Sequence, residues 1–247
     1  MLVEQMTWQE YRDHVGKSVI ILPVGALEQH GPHLPLNVDI VVPSRLGAMA
    51  AEELDAMVLP ILTYGYKSQP SSGGGPLFPG TTSLNGDTLV HLVLDILRET
   101  YRHGGRRIVV FNGHFENSMF LTEAIDLFTH DAPGARVMLL DWWAVIGQEM
   151  VDVLFADCEF PGWDLEHASV VETSLIQHLA PELVRKDRIV DDPLKEKPLF
   201  AMFPPPPDII PLSGILYRAT PASREKGEKL VKYVLPRIVD VIRKGFA

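Results

Sequence analysis

Two short stretches of the sequence combine carboxylates and imidazoles at the same spacing. The stretch GALEQHGPHLPLNVD (25–39) carries Glu28 and His30, and the later stretch NGHFEN carries His114 and Glu116 in the reverse order of types. In an extended chain, side chains two positions apart point the same way. The two side chains of each pair can therefore point toward the same region of the molecule.

This donor set is typical of zinc, manganese or cobalt sites. Hydrolytic centres often hold two such cations about 3.5–4 Å apart, and Asp39, close in sequence to the first pair, is the candidate for a bridge between them. The single cysteine, Cys158, argues against a structural zinc site built on thiolates. A lone histidine after a strand is more often a solvated loop residue, and this is our interpretation of His33.

The elements that position these pairs follow from the apolar patterning. Short apolar runs predict strands at 18–24, 56–64, 106–112 and 135–141. Helical spacing predicts helices at 43–54, 85–103, 117–130, about 167–179 and 223–244. This alternation indicates an α/β fold, a single-domain sandwich with a central, mainly parallel β-sheet flanked by helices, and we assign residues 1–247 to one domain.

Both pairs come just after a predicted strand. Ligands in open α/β sheets gather beyond the carboxyl ends of the strands. If the first and third strands are neighbours in the sheet, Glu28 and His114 therefore belong to one site. Trp142 and Trp143 follow the fourth strand, and since neighbours in an extended chain face opposite ways, we expect one to face the core and the other the site.

Two segments are too rich in glycine and proline for a regular element. In the segment 64–80, Gly73 to Gly75 allow a close approach of the backbone to a ligand, although a plain flexible loop explains them equally well. The segment 190–214 contains a run of prolines at 204–207. We interpret it as a surface excursion that could meet another subunit, rather than as an interdomain linker.

The stretch GWDLEHASVVET lies at the start of the fourth predicted helix. Trp163 could stack on a planar ligand, and His167 could shuttle a proton near neutral pH. In the alternative interpretation, Trp163 belongs to the core, and Asp164 or Glu166 caps the helix.

The composition argues against several classes of partner. The formal net charge is −10 and no basic run occurs, so we expect neither nucleic acid nor an anionic membrane surface as a partner. No uncharged stretch approaches the roughly 18 apolar residues of a membrane span, and the N-terminus lacks the apolar segment of a signal peptide. The single cysteine cannot form an internal disulfide, which fits a cytoplasmic protein.

The motifs resemble those of the creatininase (creatinine amidohydrolase) family. LPVGALEQHGPHLPLNVD and NGHFEN are similar to its two metal motifs, and YGYKSQPSSGGGPLFPGTTSL, GWDLEHASVVETSL and SREKGE are similar to further stretches of the family in the same order. The resemblance covers nearly the whole chain and is loose only at 190–215. It implies a metal-dependent α/β fold, a binuclear site and hydrolysis of amide bonds in small, often cyclic, molecules.

The resemblance also implies a ligand set for two divalent metal ions, zinc or manganese or both. Glu28, Asp39 and His114 would hold one ion. His30, Asp39 and Glu116 would hold the other, so that Asp39 bridges them, and Glu116 would also serve catalysis.

Further roles follow from the same motif-by-motif match. His167 would transfer the proton during hydrolysis. Trp143 and Trp163 would wall the substrate pocket. Ser72 and the backbone of Gly113 would contact the substrate.

The implied activity is the reversible opening of a cyclic amide, creatinine to creatine, by a homo-oligomer, which in this family is a hexamer. Family members that act on creatinine carry a tyrosine where this chain has Phe115, which leaves the exact substrate open. One alternative is a hydrolase of another small cyclic amide or of a formamide. A second, non-enzymatic alternative is a metal-bearing binding protein.

Overall fold

The central sheet has four parallel strands in the order β2–β1–β3–β4. Their bounds are β1 Ile20–Val24, β2 Met57–Val58, β3 Arg107–Asn112 and β4 Arg136–Asp141. The structure is a computed structural model that describes residues 1–69, 72–194, 200, 202–206 and 209–247. Within these residues the predicted α/β fold with a central parallel sheet is confirmed.

Helices cover both faces of this sheet. Their bounds are α1 Trp8–Val15, α2 Val38–Leu54, α3 Gly86–Arg102, α4 Ser118–His130, α5 Gln148–Leu154, α6 Val170–Leu179 and α7 Arg224–Phe246. Helices α1, α3 and α4 pack on one face, and α2, α5, α6 and α7 pack on the other. The helices predicted at 85–103, 117–130 and 223–244 are confirmed as α3, α4 and α7, whereas the short helices α1 and α5 were not predicted.

The side chains of β1 alternate between two hydrophobic clusters. Ile20 and Leu22 join the cluster that contains α3 and α4, and Ile21 joins the cluster that contains α2 and α7. Every residue of β1 is buried. A strand that is buried on both faces has a continuous apolar sequence. This explains why apolar and polar residues do not alternate along β1.

The strand predicted at 56–64 is much shorter in the structure. Within 56–64, only the two residues of β2 form a ladder with β1, and one isolated bridge between Val24 and Leu62 follows. Pro60 interrupts the pairing because proline has no N–H to donate to a ladder.

Helix α2 begins at Val38 rather than at Pro43, so the predicted start was wrong. Inside the helix, Pro43 lacks the N–H that would have donated to the carbonyl of Asp39. The earlier start places Asp39 in the first helical turn, where the helix dipole favours a carboxylate.

Helix α6 begins at Val170, slightly later than predicted. The residues Trp163–Leu165 form a separate 3-10 turn before it, and Ala168 has a φ of 53°. Glu166 accepts a hydrogen bond from the N–H of Val171 at 2.6 Å. This carboxylate therefore caps the helix, as the alternative interpretation of the segment expected.

The proline-rich segment 190–214 has neither helix nor strand among its described residues. Phe200, Phe203 and Leu212 are 66%, 72% and 94% exposed, as a surface excursion requires. Pro207 of the proline run, like residues 70 and 71 of the segment 64–80, lies outside the described residues. No helix in the described part of the chain has the length and apolar content to cross a membrane.

Candidate active site

The two motifs leave the same edge of the sheet. Strands β1 and β3 are neighbours, paired in parallel from Ile20 opposite Ile108 to Val24 opposite Asn112. Because β2 lies on the other side of β1, the order of the strands reverses between β1 and β3. Ligands in open α/β sheets bind at such a switch point.

The first cluster consists of Glu28, Asp39 and His114, all buried. The Nδ1 atom of His114 lies 3.2 Å from Glu28 Oε2 and 3.0 Å from Asp39 Oδ2. On the far side of the ring, His114 Nε2 lies 3.0 Å from the carbonyl oxygen of Tyr66. A proton on Nε2 satisfies that carbonyl and leaves the Nδ1 lone pair directed at the two carboxylates.

The second cluster consists of His30, His167 and Glu172. The Nε2 atom of His30 lies 3.2 Å from Asp39 Oδ1 and 3.6 Å from Glu172 Oε1, and the rings of His30 and His167 are 4.5 Å apart. His30 Nδ1 donates to the carbonyl oxygen of Glu28 at 3.1 Å. Asp39 thus faces one histidine of each cluster through a different oxygen, which is the placement that a bridging carboxylate needs.

Divalent cations fit these two clusters. Among the described residues, His30 Nε2 and Asp39 Oδ2 are buried without a hydrogen-bond partner. Since the far nitrogen of each imidazole donates to a backbone carbonyl, the near nitrogen directs a lone pair at carboxylate oxygens. Such an arrangement is stable only with a proton or a cation between the groups, and imidazole with carboxylate is the donor set of zinc and manganese sites.

In the metal-free protein, protons occupy these positions. Burial lowers the pKa of His114, but Glu28 and the other nearby carboxylates raise it to about 10. Burial also opposes charge on His30, and Asp39 and Glu172 raise its pKa well above the usual value. Burial raises the pKa of Asp39, yet its histidine neighbours hold it below the usual range. The site therefore favours positive charge between its carboxylates.

Glu116 lies beside His114 rather than beside His30. Its Oε2 atom is 3.3 Å from His114 Nε2, and its Oε1 atom accepts a hydrogen bond from the hydroxyl of Ser72. Besides Asp39, the carboxylate that lies near His30 is that of Glu172. No sequence signal marked Glu172, because a glutamate in the first turn of a helix is an ordinary favourable partner of the helix dipole.

Two buried asparagines hold the second motif in place. Asn117 donates to the carbonyl oxygen of Gly25 at 3.1 Å and accepts from the N–H of Tyr66 at 2.8 Å. Asn112 donates to the carbonyl oxygen of His114 at 2.8 Å. The asparagines at both ends of NGHFEN thus position the histidine between them, a function not predicted from the sequence.

The glycine-rich loop packs against Glu28. Ser68 donates a hydrogen bond to Glu28 Oε1. A Cβ atom on Gly73 would lie 2.9 Å from this oxygen, and one on Gly75 would lie 2.7 Å from it. Gly73 and Gly74 also have positive φ angles, 150° and 56°. The glycines therefore permit the close backbone approach, and the group approached is a candidate metal-ligating carboxylate.

A cavity opens beside the two clusters. It is open to solvent, and both polar and aromatic side chains line it. Ser72, Gly113, Trp143 and Trp163 all line it. Trp142 also reaches the cavity but is 4% exposed and packs in the core, so the two adjacent tryptophans divide between core and site much as expected.

Glu166 and His167 form part of the cavity wall, and both are buried. Burial, followed by the charge of Glu172, raises the pKa of Glu166 to about 8. Burial, followed by the charge of His30, lowers the pKa of His167 to about 4. His167 is therefore a neutral imidazole at neutral pH, and one of its ring nitrogens has a lone pair that can accept a proton.

His33 is not the solvated loop residue that its position predicts. It is fully buried, and its Nε2 atom lies 2.8 Å from the hydroxyl of Thr173. That hydroxyl donates to the carbonyl oxygen of Ala168 at 3.2 Å, so it accepts from His33. The histidine thus connects the first motif to the first turn of α6.

Known proteins match this chain along almost all of its length. Residues 4–242 match the model of the Creatininase family, described as creatinine amidohydrolase. The chain is 46% identical to the creatinine amidohydrolase of Pseudomonas putida, over 100% of this chain and 97% of that protein. Two solved creatininase structures, a manganese form and a variant of Zn–Zn type, share 46% and 45% identity with it. Each has a TM-score of 0.96 and covers 99% of this chain and 98% of its own.

Proposed function

Because the chain belongs to the creatininase family, we propose that it is a metal-dependent amidohydrolase that opens creatinine to creatine, reversibly. One observation carries this proposal: two histidine–carboxylate clusters, joined through Asp39, adjoin a cavity walled by tryptophans. A buried, neutral His167 in the same wall supplies the proton-transfer group that the opening of a cyclic amide requires.

Two divalent cations, zinc or manganese, belong to the clusters. By the family resemblance, Glu28, Asp39 and His114 would hold one, and His30, Asp39 and Glu116 would hold the other. Glu172, which lies 3.6 Å from His30, would be a further carboxylate near the second cation. When bound, such cations activate a water for attack near neutral pH and stabilise the negative charge that develops on the attacked carbonyl oxygen.

His167 moves the proton in this reaction. Attack by water on the carbonyl carbon releases a proton, and cleavage of the C–N bond requires a proton on the leaving nitrogen. A pKa of about 4 leaves His167 unprotonated at neutral pH. It therefore takes the proton from the attacking water and passes it to the nitrogen.

The remaining cavity residues orient the substrate. Trp143 and Trp163 flank the space for a planar ring, and Ser72 and Gly113 lie along the same wall. Phe115, at the mouth, stacks with Trp143 at a centroid distance of 6.2 Å and is 51% exposed. Its ring offers no hydroxyl to the substrate, so the range of accepted substrates needs a direct measurement.

The test is turnover of creatinine beside that of a hydantoin and a formamide, each with and without a chelator. We expect creatinine to be opened fastest, activity to disappear with the chelator, and added manganese or zinc to restore it with two equivalents bound per chain. Faster turnover of the hydantoin or formamide would assign a different amide to this site. No turnover of any compound by the fully loaded protein would indicate a binding protein instead.

We further propose a single functional domain over 1–247, assembly as a homo-oligomer, a hexamer by family resemblance, and a cytoplasmic location. The exposed Phe200, Phe203 and Leu212 support a surface covered in an assembly. The single Cys158 supports a reducing compartment. Light scattering of the purified protein measures the oligomer number, and a monomeric mass would contradict the assembly.

A further inference from the structure

Gln29 lies between the two ligating residues of the first motif and has a buried network of its own. Its Nε2 atom donates to the carbonyl oxygen of Gly73 at 3.1 Å and to that of Gly214 at 2.8 Å. Its Oε1 atom accepts from the N–H of Gly31 at 2.9 Å. This pattern fixes the orientation of the amide, because a flipped amide would set oxygen against two carbonyls and nitrogen against an N–H.

The same amide also borders His167. The Nε2 atom of His167 lies 2.9 Å from Gln29 Nε2 and 3.0 Å from the backbone carbonyl oxygen of Gln29. An amide nitrogen has two protons, and the carbonyls of Gly73 and Gly214 take both. The nitrogen of Gln29 therefore has none left to donate to His167.

The position of the proton on His167 follows from this count. If Nε2 of His167 carries the proton, it donates to the backbone carbonyl of Gln29, and every group in the network is satisfied. If Nδ1 carries it, the Nε2 lone pair faces that carbonyl oxygen, and one buried carbonyl of Gly73 or Gly214 loses its donor. Leaving a buried polar group without a hydrogen-bond partner destabilises the fold, so the first arrangement is favoured.

We propose that Gln29 is a positioning residue that holds His167 in the Nε2–H tautomer, so that Nδ1 is the atom that accepts and returns the proton. This inference rests on the proposed function, in which His167 transfers a proton. It also gives a function to the residue between Glu28 and His30 in the first motif, because Gln29 contacts His167 of the second cluster.

Packing supports a positioning function for Gln29. A Cβ atom on Gly214 would collide with its amide group, and Gly214 has a φ of 79°. The glycine-rich loop and the turn at Gly214 therefore close around the glutamine side chain and hold it against His167.

The experiment is ¹⁵N NMR of the zinc-loaded protein with labelled histidine, in which protonated and unprotonated ring nitrogens have distinct chemical shifts. The signals of His167 are identified by their loss in His167→Asn. We expect the wild-type protein to show protonated Nε2 and unprotonated Nδ1. The opposite tautomer would overturn the proposal without any variant having to fold.

Two substitutions then separate tautomer control from simple packing. Gln29→Met keeps the length of the side chain but removes its donors and acceptor. We expect a mixed tautomer and a kcat about 10–100-fold lower, with a smaller change in KM and both metal ions retained. Gln29→Glu breaks the ties to Gly73 and Gly214 but sets an acceptor against His167 Nε2, so the Nε2–H tautomer and part of kcat should return.

Gln148→Met, on the surface of α5, is the matched control and should behave as wild type. A merely structural function of Gln29 would leave Gln29→Glu as impaired as Gln29→Met, which would overturn the proposal. Unchanged kcat in Gln29→Met, or loss of metal from it, would do so as well. If the wild-type protein does not open creatinine at all, the proposed function fails, while the NMR spectrum still decides the tautomer.

Discussion

The two histidine–carboxylate clusters differ in the origin of their residues and in how tightly they close. In the first cluster, Glu28 and His114 follow adjacent strands, and His114 Nδ1 lies 3.2 Å from Glu28 and 3.0 Å from Asp39. In the second, His30 meets Glu172 only at 3.6 Å. The partners His167 and Glu172 come from the turn before α6 and from its first turn, far along the chain.

This difference separates two tasks within one site. In the first cluster, His114 Nε2 donates to the backbone carbonyl of Tyr66, and His114 Nδ1 faces two carboxylates. This arrangement allows Nδ1 to bind a cation. The second cluster adds His167, whose nitrogen is engaged by Gln29 outside the cluster. A histidine held this way keeps its other nitrogen available for a proton, so we expect the first cluster to govern metal content and His167 to govern turnover.

Asp39→Asn should have the largest effect, because the two carboxylate oxygens of Asp39 face a histidine of each cluster. In the variant, an NH₂ group replaces one carboxylate oxygen and would donate to an imidazole lone pair that a cation needs. The change also removes the negative charge that balances the cations. We expect both metal ions to be lost and turnover to fall by more than about 10⁴-fold, beyond the effect of one general acid or base. Elemental analysis and creatinine turnover measure the two losses.

Asp240→Asn, on the exposed face of α7, is the matched control for this change. Retention of both cations by Asp39→Asn would show that the two clusters are independent and that no carboxylate bridges them.

His167→Asn should have the next largest effect and should show that the two clusters have different functions. Asparagine keeps a polar side chain but cannot carry the proton at neutral pH. We expect turnover to fall by about 10²–10⁴-fold, with metal content unchanged and KM changed much less. Loss of a metal ion from this variant would place His167 among the ligands, and nearly normal turnover would make the segment before α6 structural.

Glu172→Gln should have a moderate effect, and it should distinguish the affinities of the two cations. The amide oxygen can still accept from the N–H of Ala168, which Glu172 holds at 2.6 Å, but its NH₂ group would face the lone pair of His30. We expect the second cation to bind about 10–100-fold more weakly, while the first cation binds normally. Metal titration with a competing chelator measures both affinities.

Glu52→Gln, on the exposed side of α2, is the corresponding control. Equal weakening of both cations in Glu172→Gln would mean that the clusters act as one unit.

The smallest effect concerns the pH dependence of the metal-free protein. The pKa of His114 is raised from 6.5 to about 10 in the folded state, so its protonation stabilises the fold fully below pH 6.5 and this contribution is lost as the pH rises through about 10. We expect the Tm of the metal-free protein to fall by a few degrees over this window. The zinc-loaded protein should show little change there, because a cation takes the place of the proton; equal slopes for both forms would contradict this account.

Local patterns were sufficient for most of the architecture. The apolar run of β1 and the helical spacing of α3 identified both elements, because burial on a sheet or helix face repeats at a fixed interval along the chain. The boundaries of α2 and β2 were less predictable. Pro43 and Pro60 are ambiguous in sequence, since the same residue can lie within a helix or end a strand depending on which backbone bond it deletes.

The sequence alone determined that Glu28, His30, His114 and Glu116 form two pairs at strand ends, since the spacing within each motif and the strand before it are local properties. Only the tertiary structure decided that Glu172 stands beside His30, that His33 is buried, and that Gln29 reaches a histidine 138 positions away. Such contacts depend on where α6 and the glycine-rich loop cross the end of the sheet. No repeating pattern in the sequence predicts these contacts, because packing brings together residues whose separation in sequence has no fixed period.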